Sequence, residues 1–260
     1  MDGREEKARS LSVIIPTLDE SRSIGATLDA LARESEGVEV IVVDGGSRDG
    51  TVEIVRGRGV KLIESARGRG RQLDAGARAA SGRALWFLHA DTTPSPGFAS
   101  SIAEALSDPS VVAGNFDVYF DGGSRAARFL TWLYPQLRKL GLCYGDSGIF
   151  VRREAYERIG GFRDYPIFED LDLVRRLKRV GRVAHLRARV TTSSRRFEGR
   201  SFVLTFARWS FLQALYWLGV SPYTLARMYA HVRAPGSKRS RRPTPPKPAR
   251  SQTDAGREEA

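Results

Sequence analysis

The sequence predicts an α/β fold built on a mostly parallel sheet with flanking helices. Three observations carry that prediction. Short runs rich in Val and Ile recur between residues 11 and 90, and helical stretches separate them. The runs are apolar along their length, as expected of strands covered on both faces. A chain of 260 residues with 41% hydrophobic side chains can bury one sizeable core or two modest ones.

Taken in order, LSVIIP (11–16) is a buried strand bounded by proline, and residues 21–34 form a helix through Ile24, Leu28 and Leu31. VEVIVVD (38–44) is the second strand, DGTVEIV opens a second helix, and VKLIES (60–65) is the third strand. An Ala-rich helix over 71–80 leads to a fourth strand, ALWFLHA (84–90), then to a helix over 95–107. Beyond residue 110 the rhythm changes. VVAGNFDVYF is a longer alternating segment able to run antiparallel, followed by an amphipathic helix over 124–140, a loop at 141–146 and the short apolar run SGIFV. The helix over 168–180 places Leu171, Val174 and Leu177 on one face, and RVAHLRARV after it is strand-like. RSFVLTFARWSFLQALYWLGV (200–220) is the most apolar part of the chain. Arg208 interrupts it, and a bilayer span needs about 20 uninterrupted apolar residues, so a packed or interfacial helix is expected rather than a transmembrane one. The chain thus divides into an N-terminal tail (1–10), two halves (11–110 and 111–200), an amphipathic helical segment (201–230) and a tail (231–260).

Composition excludes several classes. One cysteine, Cys143, cannot make an internal disulfide, so a stapled secreted scaffold is excluded and a reducing, cytoplasmic compartment is expected. The charged N-terminus has the character of no signal peptide. The net charge of +12 is uneven, because residues 231–260 alone carry +5 and five prolines. Such a segment buries too little apolar area to offset ordering, so it reads as a disordered solubilising tail or a weak tether to anionic lipid. No zinc spacing or aromatic RNA-binding signature accompanies the charge, which speaks against a nucleic-acid partner.

In an open parallel sheet, ligands bind beyond the carboxyl ends of the strands. Three of the first four strands end in acids there: Asp19 and Glu20, Asp44 and Asp49, and Asp91. The third leads into ARGRGRQ, whose Arg67, Arg69 and Arg71 and helix-start N–H groups suit a diphosphate. Carboxylates beside an anionic ligand call for a divalent cation between them. Each piece has an ordinary alternative, a turn acid, a helix cap or a solvated basic loop, and their joint occurrence at one sheet edge is the signal. Glu169 and Asp170 begin a helix, where the dipole keeps a carboxylate ionised and able to take a proton from a hydroxyl, although a capping pair would look the same.

The ordered set SVIIPTLDE, VIVVDGGSRDGT, GRGRQLDAGARAASG, LWFLHADTTP, GDSGIFVRR, GGFRD and FEDLDLVRRL resembles the family 2 glycosyltransferases. Within them, GRGRQ, LHAD, GDSGIFVRR and TSSRRFEG resemble the bacterial arsenosugar biosynthesis glycosyltransferases. The resemblance covers about residues 11–230. It implies a GT-A (Rossmann-like) fold with a C-terminal helical segment, and transfer of a sugar from a nucleotide-diphosphate sugar to an acceptor hydroxyl with inversion, assisted by Mn²⁺ or Mg²⁺. Residue by residue it implies that Pro16, Thr17 and Glu20 line the nucleoside pocket, that Asp44 contacts base or ribose, and that Arg67, Gly70 and Arg71 lie near the diphosphate. The family's metal-holding Asp-x-Asp triplet reads His89-Ala90-Asp91 here, so Asp91 matches the ligating position and His89 either joins it or touches the donor. Asp170 takes the place of the family's catalytic base, with Glu169 beside it. Gly145 and Asp146 shape the acceptor side, and Arg195 and Arg196 resemble late basic residues that reach the pyrophosphate. Cys143 reads as a small core residue and His185 as a core histidine.

Two other readings are a sugar-1-phosphate nucleotidyltransferase, which would want a glycine-rich loop where PTLDESRS stands, and a nucleotide-sugar-binding protein with weakened catalysis, suggested by His89. The aromatic and basic residues of 201–230 fit either packing beneath the body or peripheral contact with the inner face of a membrane.

Overall fold

The computed structural model describes residues 10–34, 36–139, 143–193 and 202–233. The strands are β1 (Leu11–Thr17), β2 (Val38–Asp44), β3 (Lys61–Glu64), β4 (Ala84–Phe87), β5 (Thr92–Pro94), β6 (Val111–Phe120), β7 (Ile149–Arg152) and β8 (Arg182–Thr192). The helices are α1 (Ile24–Ala32), α2 (Thr51–Arg56), α3 (Arg69–Ala79), α4 (Phe98–Ser107), α5 (Arg125–Lys139), α6 (Arg153–Arg158), α7 (Glu169–Leu177), α8 (Phe202–Trp217) and α9 (Pro222–Arg233). Among the described residues the strands form one eight-stranded sheet in the order β3-β2-β1-β4-β7-β6-β8-β5.

The first four strands pair in parallel, β1 lying between β2 and β4. Polarity then reverses, because β7 is antiparallel to both β4 and β6. The long segment 111–120 is therefore antiparallel on one side only, since β6 runs parallel to β8 on the other. The halves 11–110 and 111–200 share this sheet, through β4 with β7 and through β5 with β8.

Successive residues of β1 feed opposite cores, as a two-residue repeat requires. Val13 and Ile15 pack with α1, α4 and the Trp86–Phe98–Phe116 ring cluster, whereas Ile14 packs with Ile41, Val43, α3 and α7. A third cluster joins α8 and α9 to Ile167, Phe168 and Leu171 at the start of α7.

Several predicted boundaries move. The first helix begins at Ile24 because residues 20–23 form a turn closed by the Glu20 carbonyl, which accepts from the Ser23 and Ile24 N–H groups. The fourth strand stops at Phe87, and His89–Asp91 leave the sheet in a turn. The segment expected at 201–230 holds two helices, α8 and α9, broken where Gly219 takes φ 90° ahead of Pro222. Strand β5 and helix α6 have no counterpart in the sequence reading.

Candidate active site

The carboxyl ends of β1 and β2 are knitted into one wall. Asp44 is buried, and its carboxylate accepts from the Thr17 hydroxyl at 3.0 Å, from the N–H groups of Gly46 and Ser47 at 2.8 Å each, and from the Ser47 hydroxyl at 2.5 Å. Burial works against its charge, but these donors outweigh it and hold the carboxylate below the usual aspartate range. Asp19 stands in the left-handed region at φ 57° and accepts from the Arg48 N–H, while its own N–H donates to Ser47. Glu20 donates its N–H to Thr51 and accepts from the Ser23 hydroxyl. Beneath the wall, buried Gln72 donates to the carbonyls of Thr17 and Val43, at 2.8 Å each. Asp44 thus acts in this structure as the loop's organiser, and Pro16 stands half-buried beside Thr17.

The arginine loop divides its tasks. Arg67 is exposed. Arg71 pairs on the surface with Asp164 at 2.5 Å. Gly70 is buried, and a Cβ there would lie 2.8 Å from the Arg163 carbonyl, so its lack of a side chain permits close approach of α3 to the loop before α7. Arg69, which the family comparison of motifs did not single out, reaches the acidic pair: its Nε lies 2.5 Å from Glu169 Oε1 and its Nη2 3.2 Å from Asp170 Oδ2. Burial opposes the Arg69 charge, and Glu169, Asp170 and Asp146 more than compensate, raising it above the ordinary arginine range. Burial likewise pushes Glu169 up, with Arg69 drawing it down and Asp170 adding to the rise. The signal for Arg69 lay in the helical period, since it stands three, four and seven residues before Gln72, Leu73 and Gly76 on the sheet-facing side of α3, and Arg67 does not.

Asp170 sits at the first turn of α7, where the dipole favours its charge. Its Oδ2 accepts from the Gly145 N–H at 2.6 Å as well as from Arg69, and its Oδ1 from the Leu171 N–H at 2.8 Å. Gly145 is the meeting point. A Cβ placed on it would stand 2.5 Å from Arg69 Nη2 and 3.1 Å from both Asp170 Oδ2 and His89 Nε2. The polarity reversal between β4 and β7 brings these groups together, because the exit of β4 carries His89 and Asp91 and the entry to β7 carries Gly145 and Asp146. Asp146 accepts from the Tyr134 hydroxyl of α5 at 2.6 Å. The half-buried turn 89–91 is fastened through the Ala90 carbonyl, which accepts from Thr27 at 2.8 Å, and through the Asp91 carbonyl, which accepts from the Ser193 N–H.

Among the described residues no three His, Cys, Asp or Glu side chains are gathered as a ready-made metal site. Arg195 and Arg196 lie outside the described residues. Cys143 is buried, as expected, and burial pushes its thiol up to about 11. His185 donates its Nδ1–H to Asn115 Oδ1 at 2.7 Å, and it is exposed on β8 rather than set in the core as the sequence suggested, because only part of its ring is covered by β6. A residue missed entirely is Asp172, fully buried on α7 and paired with Arg176 at 2.8 Å, Arg163 at 3.4 Å and Arg175 at 3.6 Å.

The model of the family described as Glycosyl transferase family 2 matches residues 12–160. Glycosyltransferase AglE of Haloferax volcanii is 28% identical over 173 residues, which cover 60% of this chain and 57% of AglE. Validoxylamine A glucosyltransferase of Streptomyces hygroscopicus subsp. jinggangensis is 32% identical over 201 residues, covering 66% of this chain and 40% of that protein. A PGL/p-HBAD biosynthesis glycosyltransferase of Mycobacterium tuberculosis is 31% identical over 183 residues, covering 64% and 68%. The chain thus spans little more than half of AglE and well under half of the validoxylamine enzyme. Among solved structures, the mannosyltransferase PcManGT from Pyrobaculum calidifontis, in complex with GDP-Man and Mn²⁺, superimposes with a TM-score of 0.63 at 22% identity, covering 87% of this chain and 65% of that one. Glucosyl-3-phosphoglycerate synthase from Mycobacterium tuberculosis, in complex with Mn²⁺ and UDP-glucose, gives 0.52 at 22% identity, covering 71% and 70%. The shared architecture is the GT-A fold.

Proposed function

The chain belongs to glycosyl transferase family 2, and from that premise we propose that it transfers a sugar from a nucleotide-diphosphate sugar to an acceptor hydroxyl, with inversion at the anomeric carbon. The observation that carries the proposal is the convergence of Asp170, Arg69 and His89 around the bare backbone of Gly145, at the mouth of the parallel half of the sheet.

Asp170 is the general base. Its Oδ2 is held by two donors, whereas Oδ1 accepts from the Leu171 N–H and keeps a lone pair for the acceptor. As the acceptor oxygen bonds to the anomeric carbon, its proton passes to Asp170, and the bond to the diphosphate breaks with the electron pair leaving on the diphosphate. The wall built by Thr17, Glu20 and Asp44 borders the nucleoside, and Arg67 lies on the diphosphate side. Gly145 and Asp146 form the acceptor side, and Arg196 belongs with Arg67 at the diphosphate by the family likeness alone.

Support for a divalent cation comes from PcManGT, solved with GDP-Man and Mn²⁺. Asp91, with a carboxylate, and His89, with an imidazole at the same turn, are the residues that would hold such an ion. When bound, such an ion would supply positive charge against the departing diphosphate. The narrower likeness to arsenosugar biosynthesis glycosyltransferases is part of the proposal, and most of its TSSRRFEG segment falls outside the described residues. A cytoplasmic setting fits the one cysteine, free and buried.

The test has two steps. A thermal-shift screen of nucleoside diphosphates with and without Mn²⁺ should show one base stabilising the protein, more so with the metal. D170N should then lower transfer by about 10³-fold or more while nucleotide stabilisation persists. Turnover of D170N near the wild-type rate would sink the assignment.

A further inference from the structure

Helix α8 is apolar on both sides. Its inner face packs Leu212 and Tyr216 into the cluster around Phe168. Its outer face follows the same helical spacing, with Val203 74% exposed, Phe211 57%, Trp217 53% and Leu218, just past the end, 81%. Ala207, Ser210 and Ala214 fill the exposed positions between them, so no charge interrupts this stripe. Helix α5 extends it: Phe129 meets the rings of Phe202 and Phe206 at 5.6 and 6.1 Å, and neighbouring Trp132 is 61% exposed. Contiguous exposed apolar surface of this kind marks a docking face.

Charge decides what docks. Neither α5 nor α8 contains an Asp or Glu, and α5 presents Arg125, Arg128 and Lys139 to solvent. A second copy would bring like charges together across the contact. Residues 234–260 contain no Val, Ile, Leu, Met or aromatic residue and carry net positive charge, so that stretch has nothing with which to cover the stripe. A bilayer surface with anionic headgroups satisfies both features, since it takes Trp, Phe and Leu at the acyl boundary and arginine and lysine at the phosphates. Among the described residues no helix is long and apolar enough to cross a membrane, which makes the contact one of lying on the surface. We propose that the outer face of α8, with Phe129 and Trp132 of α5, seats the protein on an anionic membrane.

A corollary rests on the sugar-transfer reading. The inner side of α8 touches the residue preceding the acidic pair, with Trp209 and Tyr216 packed on Phe168 at 5.9 and 5.2 Å. An acceptor held in the membrane would therefore arrive on the Asp170 side of the site.

The experiment uses the full chain without donor, so that its failure leaves the transfer reading untouched. Wild-type protein is sedimented with phosphatidylcholine vesicles with and without phosphatidylglycerol, beside the variant W132S/F211S/W217S, whose fold is checked by circular dichroism. Binding to the phosphatidylglycerol vesicles, weakened by salt and reduced about tenfold or more in the variant, is expected. Brominated lipid should quench wild-type tryptophan emission. Absence of binding to either vesicle, or equal binding by the variant, would overturn the proposal. So would a wild-type dimer in light scattering that the variant converts to monomer, because the stripe would then belong to a second copy.

Discussion

Arg69 and Gly145 show how little space separates a base from a trapped ion pair. Arg69 divides its guanidinium between Glu169 and Asp170, and the Gly145 N–H fixes the same oxygen of Asp170 from the other side. The arrangement keeps Asp170 oriented and leaves Glu169 a partner in a buried position. Replacing Arg69 by Gln should therefore lower kcat by about 10²-fold while nucleotide binding persists, because Asp170 loses the guanidinium that orients it. R69K should recover part of the rate, since an ammonium cannot reach both carboxylates as a planar fork does. A kcat for R69Q equal to that of wild type would show that Arg69 only fills space. Arg69 was hard to distinguish in the sequence from Arg67 and Arg71, its neighbours in an Arg-rich loop. Only the turn of α3, which begins at Arg69, sorts inward from outward.

At the scale of elements, α3 is held to the sheet by absence. A Cβ on Gly76 would stand 2.4 Å from Ile14 Cγ2 and 2.9 Å from Val43 Cγ2. G76A should destabilise the fold by about 1–3 kcal/mol in chemical denaturation, and the shift of α3 should carry Arg69 away from Asp170. An equal unfolding midpoint would mean that the sheet yields at no cost. The parallel strands were legible because Val and Ile runs between helices have few other uses. Strand β5 was not, being three residues long and ending in Pro94, with its hydrogen bonds supplied by β8 far along the chain. Helix α6 was hidden for a similar reason, as it follows β7 directly without a turn signal. The break between α8 and α9 was written in Gly219 and Pro222, but the continuous apolar composition obscured it.

For the molecule as a whole, the sheet binds together parts that are distant in sequence, and His185 lies on one such connection. From β8 it meets Asn115 of β6, whose amide donates to Ser147 at 3.0 Å beside the Gly145–Asp146 turn. Partial desolvation of its ring lowers its basicity, and Arg138 and Lys178 add to the effect. With a folded value below the unfolded one, the unfolded chain binds more protons, so this histidine's stabilisation is present above about pH 6.5 and is lost as pH falls through the folded value. H185Q should flatten the decline in melting temperature below pH 6.5, and an unchanged slope would remove His185 from the account. The acids and arginines at the strand ends were visible one by one, but their meeting at Gly145 depends on β7 lying antiparallel between β4 and β6, a pairing that no local pattern in GDSGIFVRR encodes. That pairing has a consequence for shortened versions of the protein. A product ending near residue 110 would hold the acids of the first half but leave the backbone of β4 bare along one side. Such an exposed rim tends to recruit strands from other molecules, so the shortened product would aggregate before it could serve as a nucleotide-binding unit.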